Sequence, residues 1–265
     1  MADVKTLDCE SRASTDASLQ EILGIKISDI YSIFNSLDLN CYYRDHPHTS
    51  AAPDKVVLNE VLKESAAQTI TVDNVCWFHL SRVSDPEAFQ RDGILPLNMM
   101  LDSIWEFICS LVPSTVISPT SWDAFRHGIA TNPHRSARLY ASKVENRLHW
   151  GPYAILIRDI AFRPAEIGNH DYLRAPEIVE DICRCFQNDY KFDLLSEFQK
   201  RTKSCVIKFA TTSMTLDRQR ECVVAALYHQ YQRSRGLELN MDCNTCWDNN
   251  SSPILASKIL KIDKL

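Results

Sequence analysis

His79 and Ser81 stand two residues apart at the end of the apolar run Val75-Cys76-Trp77-Phe78, so in an extended strand both side chains leave the same face. An imidazole and a hydroxyl presented together at a strand exit can hold a polar ligand. The same imidazole bonded to a neighbouring backbone carbonyl would be an ordinary core histidine. Tyr140 and Ser142 stand two apart in the same way, ahead of a second apolar run, Tyr153-Ala154-Ile155-Leu156-Ile157. A carboxylate, Glu221, precedes a third, Cys222-Val223-Val224, and ends the charged stretch Asp217-Arg218-Gln219-Arg220. Glu177 is a rival carboxylate, in a proline-led segment where an acid would also complement a helix N-terminus. Arg82, Arg135 and Arg138 carry guanidinium forks suited to bidentate contact with phosphate oxygens.

Composition narrows the chemistry these groups can do. The chain has 265 residues, 45% hydrophobic and 24% charged, which is globular and long enough to bury a sizeable core. Its net charge of -5 argues against a whole-surface polyanion binder while leaving room for a local basic patch. Only six glycines occur, and neither G-x-G-x-x-G nor G-x-x-x-x-G-K-[ST] is present, which argues against Rossmann and Walker-type nucleotide sites. H-E-x-x-H and G-x-S-x-G are absent too. The polar start and the lack of a run of about 20 apolar residues imply a cytoplasmic protein that does not enter a membrane. Ten cysteines in such a chain read as reduced thiols. Cys183 with Cys185, and Cys243 with Cys246, would offer four thiolates to zinc, but C-x-C is the less usual half-site and the expectation is free thiols without metal.

The elements that must position these groups follow from pattern. Residues 1–17 read as a flexible leader, 18–70 as a helical extension, 71–236 as an α+β core and 237–265 as a tail packing on it. Apolar spacing predicts one or two amphipathic helices over 18–34, and helices over 56–64, 98–111 and 176–187. Strands are predicted over 76–82, 153–157 and 204–209, and residues 216–235 fit either a buried strand or a helix ending at Gly236.

In chain order, Phe78-His79-Leu80-Ser81, then Leu139-Tyr140-Ala141-Ser142, then Glu221 before an apolar run resembles the His-Tyr-Glu branch of the ADP-ribosyltransferase superfamily. That branch includes poly(ADP-ribose) polymerase catalytic domains and related toxins. The Gly93-Ile94 pair after a short helix is similar to the family's pattern, and the resemblance spans about residues 72–228. Leu80 departs from the glycine that usually follows the histidine. The resemblance implies a split antiparallel-sheet core with an N-terminal helical extension, and NAD as substrate. It implies transfer of ADP-ribose to a protein or nucleic acid, in a toxin, effector or defence setting. By the same resemblance Glu221 stabilises the oxocarbenium-like ribose, His79 bonds the adenosine-side ribose and Tyr140 stacks on nicotinamide. Ser81 holds the carboxamide, and Arg82, Arg135 and Arg138 meet the pyrophosphate.

Two other classes fit the same residues. Arg126, His127, His134, Arg135, Arg138 and Lys143 form a basic stretch that would bind nucleic-acid phosphates without NAD. A non-enzymatic module docking a partner on its N-terminal helices would need none of the polar groups. A cysteine hydrolase built on Cys76 or Cys222 is the weakest reading, because apolar surroundings raise a thiol pKa.

Overall fold

The computed structural model describes residues 4–65, 69–212 and 214–265. The chain is a mixture of helices and antiparallel sheet, an α+β protein. In order, the elements are β1 (Thr6–Leu7), α1 (Arg12–Leu23), α2 (Ile27–Ser36), α3 (Leu39–Asp45), α4 (Pro53–Glu64), β2 (Asn74–Val83), α5 (Ala88–Asp92) and α6 (Leu97–Ser110). There follow α7 (Pro119–Gly128), α8 (Arg135–Glu145), β3 (Tyr153–Ile155), α9 (Glu177–Tyr190), α10 (Leu194–Arg201), β4 (Lys203–Thr212), α11 (Leu216–Ser234), β5 (Cys246–Asp248) and β6 (Ile259–Lys264). Among the described residues the strands form one six-stranded sheet in the order β5-β3-β2-β4-β6, with β1 parallel to the start of β2.

Two compact units are built from interleaved stretches, 1–78 with 155–169 and 209–246, and 79–154 with 170–208 and 247–265. The contiguous segments expected over 18–70, 71–236 and 237–265 do not coincide with them, because β2, β3 and β4 each contribute residues to both.

In the first unit α11 packs against α1, α2 and α4. Every residue from Cys222 to Gln232 is buried, so this helix has no polar face, and that is why its apolar run read equally well as a strand. The flexible leader expected over 1–17 is corrected over 4–17, and its residues 1–3 lie outside the described residues. Ser11 and Ser14 cap α1 reciprocally, Leu7 pairs with Val75, and Leu7, Cys9, Thr15 and Leu19 are buried. The sequence hid this because Ser14 replaces the glutamate or glutamine that marks a capping box. Gly24, left-handed at φ 62°, ends α1 and splits the 18–34 pattern into two helices.

In the second unit α6, α7, α8, α9 and α10 enclose an aromatic core that includes Trp105, Trp122, Phe125, Phe186 and Phe198. Gly93 closes α5 at φ 77°, and a Cβ there would lie 2.1 Å from the Ile254 carbonyl, so only glycine admits the bridge between Ile94 and Ile254. The predicted strand over 153–157 stops at Ile155. The next two amides, of Leu156 and Ile157, already belong to the first unit and both donate to Asn244 Oδ1 of that same unit, at 3.1 and 3.2 Å, and a 3-10 turn follows. No helix among the described residues is long and apolar enough to cross a membrane.

Candidate active site

His79 lies half-buried near the end of β2, and its Nδ1 donates to the Tyr153 carbonyl on β3 at 2.7 Å. A carbonyl can only accept, so this bond fixes the neutral ring with its proton on Nδ1 and leaves Nε2 as an acceptor. Loss of hydration pushes the His79 pKa below its ordinary value, with the Tyr153 carbonyl opposing. Phe89 of α5 meets the ring edge-on at 6.1 Å. The Tyr153 ring is exposed, and its hydroxyl, which donates to the Leu148 carbonyl, is pushed up by burial and by the charges of Asp248 and Glu177. Glu177 opens α9, accepts from the Tyr172 hydroxyl at 3.2 Å and pairs with Lys143 of α8 at 3.2 Å. Lys143 also holds Asp181, one turn further along α9, at 2.7 Å.

An imidazole with an open acceptor, an exposed aromatic ring and an accessible carboxylate therefore belong to the same unit. Tyr153 was not among the sequence candidates. Its signal was available: it starts the strand that pairs with the histidine strand, with Ile155 opposite Phe78.

Tyr140 does not face a ligand. It is 7% exposed within the aromatic core, its hydroxyl accepts from Trp105 Nε1 at 3.1 Å, and the two rings meet edge to face. Burial pushes its phenol up. Stacking on nicotinamide is thus corrected to packing on Trp105, because α8 presents Tyr140 and Ala137 inward. Tyr140→Phe is expected to destabilise the fold by about 1–2 kcal/mol, since it orphans a buried indole N–H, and to leave NAD affinity unchanged. Urea unfolding beside a ligand titration would check both halves; a selective loss of NAD affinity would return Tyr140 to the site.

Arg82 is also corrected. Its Nε donates to Thr202 Oγ1, one terminal nitrogen to the Leu173 carbonyl and Ser204 Oγ, and the other to the Gln199 and Thr202 carbonyls, over 2.6–3.2 Å. All five guanidinium protons are spent within the protein, so none is left for a pyrophosphate. Ser81 is 9% exposed, and its carbonyl accepts from the Cys205 thiol. Arg135 and Arg138 are exposed on α8.

Glu221 belongs to the first unit. Thr245 donates to its Oε1 at 2.7 Å and Arg218 pairs with its Oε2 at 2.6 Å. Partial burial raises its carboxyl, but those two partners outweigh it and hold the group below the usual range. Arg218 also donates to Thr245 Oγ1 and the Cys246 carbonyl, and lies over the Trp77 ring. A second charged cluster in this unit gathers His229, Arg163 and Arg233 at 3.3–3.7 Å around one oxygen of Asp159, and His229 first among them holds that carboxyl below its ordinary value.

The paired cysteines are free thiols whose burial disfavours the thiolate. Burial pushes Cys185 and Cys243 up to about 11, and Cys183 higher still. Among the described residues no group of three or more His, Cys, Asp or Glu side chains is arranged to hold a metal ion.

No protein-family model, curated protein or solved structure matches the chain.

Proposed function

We propose that the chain transfers ADP-ribose from NAD to an acceptor, with the reaction centred on His79, Tyr153 and Glu177. The observation that carries this is the His79 imidazole, fixed by the Tyr153 carbonyl as a neutral ring with its acceptor nitrogen open. On this reading Nε2 accepts from a ribose hydroxyl, and the exposed Tyr153 ring takes the stacking role that buried Tyr140 cannot. The nicotinamide–ribose bond breaks with its electron pair leaving on nicotinamide, positive charge grows on the ribose, and the Glu177 carboxylate stabilises it. The acceptor nucleophile then bonds to the ribose carbon and gives up its proton to solvent water. Glu177 is preferred to Glu221 because it shares a unit with His79 and acts electrostatically on the Tyr153 hydroxyl.

Calorimetric titration with NAD, and nicotinamide release followed by chromatography, test the reading. Wild type should bind at micromolar NAD, and His79→Ala should bind at least about tenfold more weakly, the loss of one well-made hydrogen bond. Affinity should hold at neutral pH and fall as acid protonates His79, because the charged ring loses its acceptor; the depressed pKa puts that fall below the ordinary histidine range, about 6.5. Glu177→Gln should keep binding and slow release about a hundredfold. Folded wild type that ignores millimolar NAD would sink the proposal. Release abolished by Glu221→Gln, with Glu177→Gln active, would overturn the choice of carboxylate.

A further inference from the structure

We infer that the groove beside α8 binds the phosphodiester backbone of single-stranded nucleic acid. The chain as a whole is acidic, yet residues 124–150 hold five cations, Arg126, Arg135, Arg138, Lys143 and Arg147, against one acid, Glu145. Two of the five are neutralised: Arg126 pairs with Asp102, and Lys143 with Glu177 and Asp181. The other three, Arg135, Arg138 and Arg147, are exposed and have no carboxylate partner among the described residues. Three free guanidiniums on one short stretch leave a local positive potential that the net charge conceals.

The shape suits an extended polymer. Arg138, Ala141, Ser142 and Glu145 share one face of α8 by their three- and four-residue spacing, and with Ala130 and Arg147 they line an open groove of about 650 Å³. The alanines and the serine make a low floor over which a backbone can pass, and Arg138 and Arg147 line it with groups that bond phosphate oxygens bidentately. Arg147 lies over the Trp150 ring at 5.7 Å, while Leu148 beside it is 72% exposed, so apolar surface for unstacked bases adjoins the cations. Guanidiniums interleaved with apolar and aromatic surface favour a single strand over an acidic peptide, which offers carboxylates but no stacking faces. Glu145 stands in the groove and opposes any polyanion there, which argues for spaced phosphates rather than a compact anion.

This inference does not need NAD, so its test is separate from that of the transferase reading. Fluorescence anisotropy would follow labelled oligothymidylate and oligouridylate of about twenty nucleotides, each longer than the groove. Wild type is expected to bind both, with affinity falling steeply between about 50 and 200 mM salt as counterions are released. Arg138→Gln with Arg147→Gln should weaken binding at least about tenfold and flatten the salt slope, each lost phosphate contact removing about 0.7 from it. Arg44→Gln, an exposed change on α3, should bind as wild type does. Unchanged affinity in the double variant would overturn the proposal. So would binding to phosphatidylserine vesicles or polyglutamate with none to either oligonucleotide.

Discussion

Arg82→Ala is expected to lower the free energy of unfolding by about 2–4 kcal/mol, the scale for losing charge-assisted hydrogen bonds and leaving two carbonyls without their donor. Arg82, on β2, ties that strand to the end of α10 through Gln199 and Thr202, to the chain before α9 through Leu173, and to β4 through Ser204. Without the guanidinium, the Leu173 carbonyl keeps Ser204 as a donor and Thr202 Oγ1 still donates to the Phe198 carbonyl. The Gln199 and Thr202 carbonyls lose the Arg82 bonds, and a buried acceptor left unpaired costs about 1–3 kcal/mol. Arg82→Lys should recover less than half of the loss, because an ammonium is a point charge with three donors and cannot match a planar fork with five. Urea unfolding of both variants gives the comparison. At temperatures where Arg82→Ala is folded its NAD affinity should equal wild type; full stability with lost NAD affinity would restore the pyrophosphate role.

Arg82 also marks where sequence reading ends. Its type and its place after a polar pair were legible and suggested a phosphate ligand, but its partners lie about 90 to 120 positions further along the chain. Only the fold reveals that they use every proton it has. Tyr140 and Tyr153 make the same point in reverse. Both precede or begin apolar runs, and which one faces inward depends on α8, whose inward face carries Ala137 and Tyr140. The strong local patterns were readable: β2, α4, α6, α9 and β4 form close to where alternation or helical spacing places them. The weak ones were not. β1 is two residues long, and β5 is a three-residue edge strand, too short for any periodicity. The α11 pattern failed for the opposite reason, since a helix buried on every side shows a run instead of a stripe.

Lys143→Met is expected to cost about 3–5 kcal/mol at neutral pH, because it strips the cation from an enclosed carboxylate. The Asp181 side chain is 4% exposed, and Lys143 Nζ lies 2.7 Å from its Oδ2, with Glu177 sharing the same ammonium at 3.2 Å. Burial already holds the Asp181 carboxyl above its ordinary value despite Lys143, which pulls it down; Glu177 pushes it further up and Arg184 draws it back. The direction sets the pH dependence. A carboxyl raised on folding is harder to ionise in the native chain than in the unfolded one, so its contribution is most favourable in acid and is lost as pH rises through the native value. Removing Lys143 raises that value further and widens the window. The deficit of Lys143→Met should therefore shrink as the pH falls from about 7 towards 4, near the ordinary aspartate value. Lys143→Met with Asp181→Asn should recover most of the loss at pH about 7, since no charge is then left enclosed. Urea unfolding of both variants across that range separates the outcomes. A deficit that stays constant with pH would mean that packing of the lysine stem along α8 and α9, and not the stranded carboxylate, is what the substitution removes.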